Sequence, residues 1–338
     1  MAYENHVWRL MKRPVGDIAA DDLIYGKEPV PALKDGEYLV EVIYLSLDPT
    51  NRIWMSDIEQ YMPPVELGAI MRGLVAGRVV ESKNSDVKVG ELRAGRGGFA
   101  KYVVASTTAP MSPVPTLPSV PLSRVFGSLF LTGPTAYFGL LDIGAPKAGE
   151  TLVVSAAAGA VGSVVCQIGK IKGCRVIGIA GAKDKCDWLV NELGIDGAIN
   201  YKTENVAKRL DELCPNGIDI NFEQVGGEIM EAVMARMNNF SRMPLCGMIS
   251  GYNDKEQAPG PRAWPLILMH RIKVQGFIVS DYLPRFGEAG KQLAQWMMEG
   301  KLKTKVDVRQ GLETAIDSLH DLYTGGNSGK LLVQVTPE

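Results

Sequence analysis

The sequence predicts an α/β protein of two domains, the second organised around a doubly wound parallel sheet. Three observations carry this prediction. In the middle of the chain, short β-branched runs at 151–155, 175–180, 197–200, 218–225, 242–247 and 273–279 alternate with helical stretches at 161–172, 184–193, 206–213 and 228–237. Strands joined by helical crossovers lie parallel. The first of these runs ends in small residues, and the pattern Ala157-x-Gly159-x-x-Gly162 then opens a helix, as in turns that set a pyrophosphate at a helix N-terminus. The first third of the chain, by contrast, holds strand-like runs broken by Gly and Pro, a rhythm of short strands in a small barrel or sandwich.

In that first third, 38–47 reads as a strand that Asp48-Pro49 stops, and 74–81 and 99–105 are two further strands. Pro63-Pro64, Gly68, Gly73, Gly77, Gly90, Gly95 and Gly97-Gly98 punctuate the region. In the turn after 151–155, a side chain at Gly159 would block the approach of a phosphate to the backbone, and Gly162 lets the helix pack close to the strand. Small residues also occur wherever a helix packs tightly on a sheet. Here the strand before and the amphipathic helix after (Val164, Val165, Ile168 and Ile171 against Lys170 and Lys172) supply the context of a nucleotide site. The tail holds helices at 286–298 and 312–323 and a strand at 330–335, whose place local pattern alone does not fix.

Bulk composition narrows the function. The chain has 338 residues, 46% hydrophobic and 22% charged, enough for two ordinary cores. A net charge of -2 leaves no electrostatic footprint for nucleic acid. No apolar run approaches the roughly 20 residues of a membrane span, and the start at Met1 lacks the layout of a signal peptide. The five cysteines (Cys166, Cys174, Cys186, Cys214, Cys246) are scattered, so neither a disulfide framework nor a structural zinc site is expected. The chain reads as cytoplasmic with reduced thiols. His6, His270 and His320 form no ligand pattern, and no metal is expected.

The second strand of the parallel unit speaks to the choice of nicotinamide cofactor. An NAD binder places Asp or Glu near its end to accept bonds from the ribose hydroxyls. Here 175–180 runs into Gly181-Ala182-Lys183-Asp184-Lys185, small neutral residues followed by two lysines. A carboxylate would repel a 2′-phosphate, whereas lysine attracts it, so NADPH is expected. Asp184 would reach the hydroxyls if the turn were a residue or two longer; in the first turn of a helix it serves capping or the dipole instead.

Several motifs occur together: 47–52 (Leu-Asp-Pro-Thr-Asn-Arg), 135–141 (Thr-Ala-Tyr-Phe-Gly-Leu-Leu), 156–163, 200–203 (Asn-Tyr-Lys-Thr), 225–228 (Val-Gly-Gly-Glu) and 246–253 (Cys-Gly-Met-Ile-Ser-Gly-Tyr-Asn). In this order they resemble the zinc-independent medium-chain dehydrogenase/reductases, in the branch of prostaglandin reductases, plant double-bond reductases and bacterial curcumin reductase. The resemblance covers nearly the whole chain. It implies a GroES-like β-barrel domain at 1–125, a Rossmann NADP-binding domain at 126–295 and a return of 296–338 to the first domain. It also implies a homodimer and NADPH-dependent reduction of the C=C bond of enals and enones. Zinc relatives carry Gly-His-Glu after the early barrel strands; 72–77 (Arg-Gly-Leu-Val-Ala-Gly) holds no ligand. Without a Lewis acid to stabilise an alkoxide, conjugate reduction is favoured, with the developing enolate met by hydrogen-bond donors.

The same resemblance assigns residues. Gly159, Ala160, Val161 and Gly162 would cradle the pyrophosphate, and Lys185 and Tyr201 would hold the 2′-phosphate. Gln224 stands where the family has Asn and Glu223 where it has Asp, so both side chains beside the cofactor are lengthened. Cys246, Gly247, Ile249, Ser250 and Tyr252 would line the cofactor cleft, Phe277, Ile278 and Val279 would back the nicotinamide, and Asn327 would close over it. Tyr252 is the candidate catalytic residue: its phenol, protonated at neutral pH, can donate to the enolate, or its ring can simply wall the pocket. Asn51 and Arg52 would orient substrate or cofactor, or Arg52 would be a surface or interdomain ion-pair partner; Tyr61 and Tyr282 would border the substrate pocket, or lie on the surface. Thr50 replaces an aromatic of the family, which removes a substrate contact. Arg93 falls where relatives carry an apolar residue and is expected to weaken the barrel edge. Two other readings share these features: a quinone oxidoreductase of the same superfamily, and a non-catalytic NADPH-binding protein.

Overall fold

The computed structural model describes residues 3–256 and 260–338. The first part of the chain contains β1 (Glu4–Leu10), β2 (Leu23–Pro29), β3 (Glu37–Ser46), α1 (Thr50–Met55), β4 (Arg72–Ser82), β5 (Leu92–Gly98), β6 (Tyr102–Ser106), β7 (Ser112–Pro113) and α2 (Leu122–Leu129). The middle follows with α3 (Thr132–Phe138), β8 (Thr151–Val154), α4 (Gly162–Ile171), β9 (Arg175–Ala180), α5 (Lys183–Asn191), β10 (Gly197–Asn200), α6 (Val206–Leu213), β11 (Ile218–Phe222), α7 (Gly227–Met234) and β12 (Met237–Leu245). Then come α8 (Trp264–His270), β13 (Lys273–Gly276), α9 (Phe286–Met298), β14 (Val306–Gln310), α10 (Ala315–Thr324) and β15 (Lys330–Gln334).

Contacts divide the chain into two units. The first holds the chain up to Phe130 together with Val306–Asn327 and Leu331–Glu338. Its main sheet runs β14-β15-β3-β4-β5-β7, with β6 also paired to β3. β3 is buried on both faces. Tyr38, Val40 and Val42 point into the main core with Leu45 and Leu47, whereas Ile43 and Tyr44 join a second cluster with Phe126 of α2. The core positions change from even to odd numbers at a register shift between Val42 and Tyr44. One extra residue in one strand reverses which face each later side chain takes.

The second unit, Leu131–Lys305 with Ser328–Lys330, is built on a six-stranded sheet of order β10-β9-β8-β11-β12-β13, with every pair parallel. One face buries Val153, Ile177, Ile179, Ile199, Leu210, Ile218 and Val233. On α4, Val164, Val165 and Ile168 are buried, as their helical spacing demands. Strand order reverses between β8 and β11, and in such sheets ligands bind beyond the carboxyl ends of the strands at that point.

Four sequence expectations are corrected. The strand expected at 99–105 begins only at Tyr102, as β6, because 99–101 turns between it and β5, which ends at Gly98. The run expected at 242–247 begins five residues earlier, as β12. The tail rejoins the first unit at Val306 rather than at 296, because α9 packs with α3 in the second unit. Arg93 does not weaken its edge: Glu91 accepts from its Nε and Nη2, and the Met111 carbonyl from its Nη1.

Candidate active site

The turn between β8 and α4 is built from tight backbone geometry. Ala156 takes a left-handed φ of 46°, the Gly159 N–H closes back on the Ala156 carbonyl at 2.9 Å, and the Ser163 N–H donates to Gly159 O. A Cβ on Gly162 would lie 2.4 Å from Ala156 O and 2.8 Å from Ala157 Cα, so the helix approaches the turn this closely only without a side chain there. A Cβ on Gly159 would meet only Ala156 O, at 3.1 Å. Its absence is not required by packing, and it leaves room for a ligand. Ala160, Val161 and Gly162 follow at the helix N-terminus, where the first N–H groups lack intrahelical partners and carry partial positive charge. Gly329 pairs alongside Gly159 and donates to the Ala158 carbonyl at 3.2 Å; Asn327 lies two residues before it in the chain.

The end of β9 carries no carboxylate. Gly181 follows Ala180, and a Cβ there would fall 2.8–2.9 Å from Cε1, Cζ and the hydroxyl of Tyr201. The half-exposed Tyr201 ring therefore occupies the space an acidic side chain would take. Lys185 lies in the first turn of α5, half-buried, while Lys183 is spent on an exposed pair with Asp187 at 2.5 Å. Asp184 is exposed in the same turn.

Beyond β11, Glu223 is fully buried. One of its carboxylate oxygens accepts from the backbone N–H groups of Gln224 (3.0 Å), Val225 (2.7 Å) and Gly226 (2.9 Å) and from Ser155 Oγ (3.0 Å). The other accepts from Asn221 Nδ2 at 3.1 Å. The lengthened Gln224 turns inward, and its Nε2 donates to the Ser155 carbonyl at 2.6 Å. The segment 246–252 is laid on this loop. Cys246 and Gly247 donate to Glu223 O, Ile249 to Gln224 O, and Ser250 to Val225 O through both its N–H and its hydroxyl. Tyr252 curls back so that its phenol oxygen accepts the Met248 N–H at 3.1 Å. The structure thus brings Gln224, Cys246, Gly247, Ile249, Ser250 and Tyr252 together. Burial, with Glu223 adding its negative charge, pushes the Cys246 thiol up to about 12, which leaves it protonated and unsuited to nucleophilic work.

Phe277 packs its ring against Gly139 and edge-on to Phe222, with centroids 6.4 Å apart; half-buried Ile278 and Val279 follow it. Tyr282 is stacked on Phe138 at 4.6 Å, with its phenol raised by burial and then by Asp142.

In the first unit, Asn51 and Arg52 are buried within α1. Asn51 accepts from the Asp48 N–H and donates to Arg72 O. The Arg52 guanidinium donates to Gly16 O, Pro14 O and Ser56 Oγ. These bonds tie both side chains into the first unit, and buried Arg52 meets carbonyls and a hydroxyl rather than the carboxylate of the surface or interdomain ion pair expected of it. Tyr61 remains 42% exposed, and its hydroxyl accepts from Trp54 Nε1 at 2.8 Å and pairs with Thr50 Oγ1 at 2.5 Å. Sequence reasoning missed this cluster, and it missed the amide clamp of Glu223. An acidic residue ending an apolar strand was the available signal for the latter. Among the described residues no three His, Cys, Asp or Glu side chains gather as a metal-ligand set.

Comparison with known proteins places this geometry. Residues 6–112 match the family model described as N-terminal domain of oxidoreductase, and 160–297 match zinc-binding dehydrogenase. The chain is 44% identical to a putative NADP-dependent oxidoreductase of Bacillus subtilis, with 97% of each chain covered. It is 40% identical to the NADPH-dependent curcumin reductase of Escherichia coli, over 98% of this chain and 97% of that one. It is 38% identical to a 2-alkenal reductase (NADP(+)-dependent) of Nicotiana tabacum, over 89% and 88%. The crystal structure of CurA from Vibrio vulnificus in complex with NADPH superposes with a TM-score of 0.93 at 42% identity, covering 98% of this chain and all of that one.

Proposed function

The chain belongs to the zinc-independent branch of the medium-chain dehydrogenase/reductases, and from that premise we propose that it reduces the C=C bond of α,β-unsaturated aldehydes and ketones with NADPH. The observation that carries the cofactor choice is the end of β9, where the Tyr201 phenol lies over Gly181 and no carboxylate is present. The residues fit the dinucleotide: Gly159 leaves the space a Cβ would fill, and Gly159, Ala160, Val161 and Gly162 would hold the pyrophosphate. Lys185 and Tyr201 would hold the 2′-phosphate, Phe277, Ile278 and Val279 would lie behind the nicotinamide, and Asn327 would cover it. NADPH, when bound, supplies hydride to the carbon β to the carbonyl.

The chain's own part is to hold the acceptor and meet the negative charge that gathers on its oxygen. Tyr252 would donate to that oxygen. A phenol oxygen that already accepts an N–H has its own O–H polarised, and Met248 provides that bond. Glu223 would fix the loop against which Tyr252 rests. Tyr61 and Tyr282 would border the acceptor.

The panel that tests this reading offers enones, enals and quinones to the protein with NADPH and with NADH. Preferential oxidation of NADPH with enones and enals supports it; quinones alone favour the quinone oxidoreductase, and binding without turnover favours a non-catalytic binder. Lys185→Ala should raise KM for NADPH by about tenfold, the scale of one charge-assisted contact, and leave KM for NADH nearly unchanged. An equal effect on both cofactors contradicts the assigned contact.

A homodimer is supported by the exposed apolar side chains of α8, Trp264 (62%), Leu268 (73%) and Met269 (60%), beside the edge strand β13. Light scattering at the mass of a single chain would contradict it. Five unpaired thiols support a cytoplasmic location, which fractionation of the native host would test.

A further inference from the structure

Gly139 occupies a place where alanine would be the better helix former. It follows directly on α3 and opens a π-helical turn that runs to Gly144. Its φ of -59° and ψ of -42° are those of any helical residue. The backbone therefore does not ask for glycine, which inside a helix costs stability relative to alanine. Space does ask for it. A Cβ on Gly139 would fall 2.4 Å from Cζ and 3.0 Å from Cε1 of Phe277, and 2.9 Å from Cε2 of Phe222. The missing side chain leaves a notch, and the tip of the Phe277 ring fills it.

The effect of the notch lies in where Phe277 starts and where its ring ends. Phe277 follows Gly276, the last residue of the edge strand β13, and β12 lies between β13 and β11. Its ring nonetheless meets Phe222, the last residue of β11, edge-on with centroids 6.4 Å apart. The chain leaving β13 is thus drawn toward the carboxyl end of β11, beside the reversal of strand order where ligands of such sheets bind. Further on, Tyr282 stacks on Phe138 with centroids 4.6 Å apart and ring planes 14° from parallel. Two successive residues, Phe138 and Gly139, therefore hold both ends of 277–282, and between those ends the Asp281 N–H closes on Ile278 O at 3.1 Å. In packing this dense, a displaced ring moves the backbone that carries it. All these residues belong to the second unit.

We propose that Gly139 is a positioning residue for the cofactor: by seating the Phe277 ring, it sets where 277–279 stands behind the nicotinamide. This rests on the reading that 277–279 backs the nicotinamide. Gly139 is buried and offers a ligand no side chain, so it acts only through Phe277.

Calorimetric titration of the full chain would use NADPH and adenosine 2′,5′-bisphosphate, which shares the phosphorylated adenosine end and lacks the nicotinamide. Gly139→Ala should weaken NADPH by about tenfold or more, the scale of an overpacked ring giving way. It should leave adenosine 2′,5′-bisphosphate within about twofold, since that probe ends short of 277–279. Leucine at 277 lacks both ring atoms nearest the added Cβ and leaves Phe222 room to turn. In a Phe277→Leu background, Gly139→Ala should therefore cost less than about threefold in NADPH affinity. Equal weakening of both ligands, an unaltered NADPH affinity, or the same loss in both backgrounds overturns the proposal. Should Gly139→Ala fail to fold, Phe277→Ala decides from the other side. Emptying the notch should free 277–279 and weaken NADPH alone by about tenfold, and an unaltered affinity overturns the proposal. If the unaltered protein binds NADPH no more tightly than adenosine 2′,5′-bisphosphate, the reading of 277–279 falls and the proposal with it. A tighter grip on NADPH that Gly139→Ala leaves intact overturns the proposal alone.

Discussion

Tyr252 and Glu223 show what one side chain contributes when its partners are distant in sequence. The Tyr252 oxygen takes the Met248 N–H, so the phenol is held against the loop by its polar end. If it donates to the acceptor oxygen, Tyr252→Phe should lower kcat by about 10- to 100-fold, the scale of one positioned proton donor. KM for NADPH should stay nearly unchanged. Steady-state kinetics decide this, and an unaltered kcat leaves the ring as a wall of the pocket. Tyr252 was legible as a candidate because it sits inside a recognisable local motif. The role of Glu223 was not, since its carboxylate is organised by Ser155, 68 residues earlier, and by amides of a loop whose path the sequence does not state. Arg52 shows the converse: an arginine in a motif near a strand end turns out to hold the carbonyls of Pro14 and Gly16.

Among the elements, the turn between β8 and α4 separates two uses of glycine. Gly162→Ala places a Cβ 2.4 Å from a backbone oxygen, so the turn must shift, at a cost of about 1–3 kcal/mol in stability. Gly159→Ala meets only one atom, at 3.1 Å, and should leave stability within about 1 kcal/mol while raising KM for NADPH by about tenfold. Denaturant unfolding and cofactor kinetics on the two variants check this contrast; equal loss of stability in both would contradict it. β8, β9 and β11 were legible because each is a short β-branched run that contrasts with its amphipathic neighbours, whereas β12, Met-Asn-Asn-Phe-Ser-Arg-Met-Pro-Leu, has no β-branched residue and its start was misplaced. β5, Leu-Arg-Ala-Gly-Arg-Gly-Gly, was not, since it has neither alternation nor β-branching. α3 hides for a different reason. All its residues are buried, so it has no polar face to reveal a helical period. In β3 the alternation is real, but the shift between Val42 and Tyr44 reverses its phase, which a pattern read without pairing cannot show.

On the scale of the whole molecule, the second unit is tied at the amino ends of its strands by Arg242. Its guanidinium donates to Glu150, to the carbonyls of Gly144 and Ala145 and, at 3.4 Å, to that of Asp219. Burial is the largest single influence and would raise the Glu150 carboxyl, but the bonds from Arg242 and the Lys147 N–H, with the charges of Arg242 and Lys147, together hold the group below its ordinary value of 4.5. A carboxylate depressed by folding stabilises fully above its unfolded value and loses that contribution as pH falls through its folded value. Glu150→Gln should therefore cost about 1–2 kcal/mol near pH 7, and the difference should shrink as pH drops below 4.5. Urea unfolding across that range tests the sign; a difference that grows in acid would contradict it. Asp196, lowered against its burial by Lys170 and the Val176 N–H, adds to the same acid sensitivity.

The central claim concerns where the hydride goes in a member of the zinc-independent branch. Chelator-treated enzyme would be given an enone and NADPH labelled with deuterium at the transferred position, and the product read by mass spectrometry and NMR. The account predicts a saturated ketone with one deuterium on the carbon β to the carbonyl and no loss of rate on chelation. Deuterium on the carbinol carbon of an allylic alcohol, or turnover restored only by a divalent ion, would contradict it.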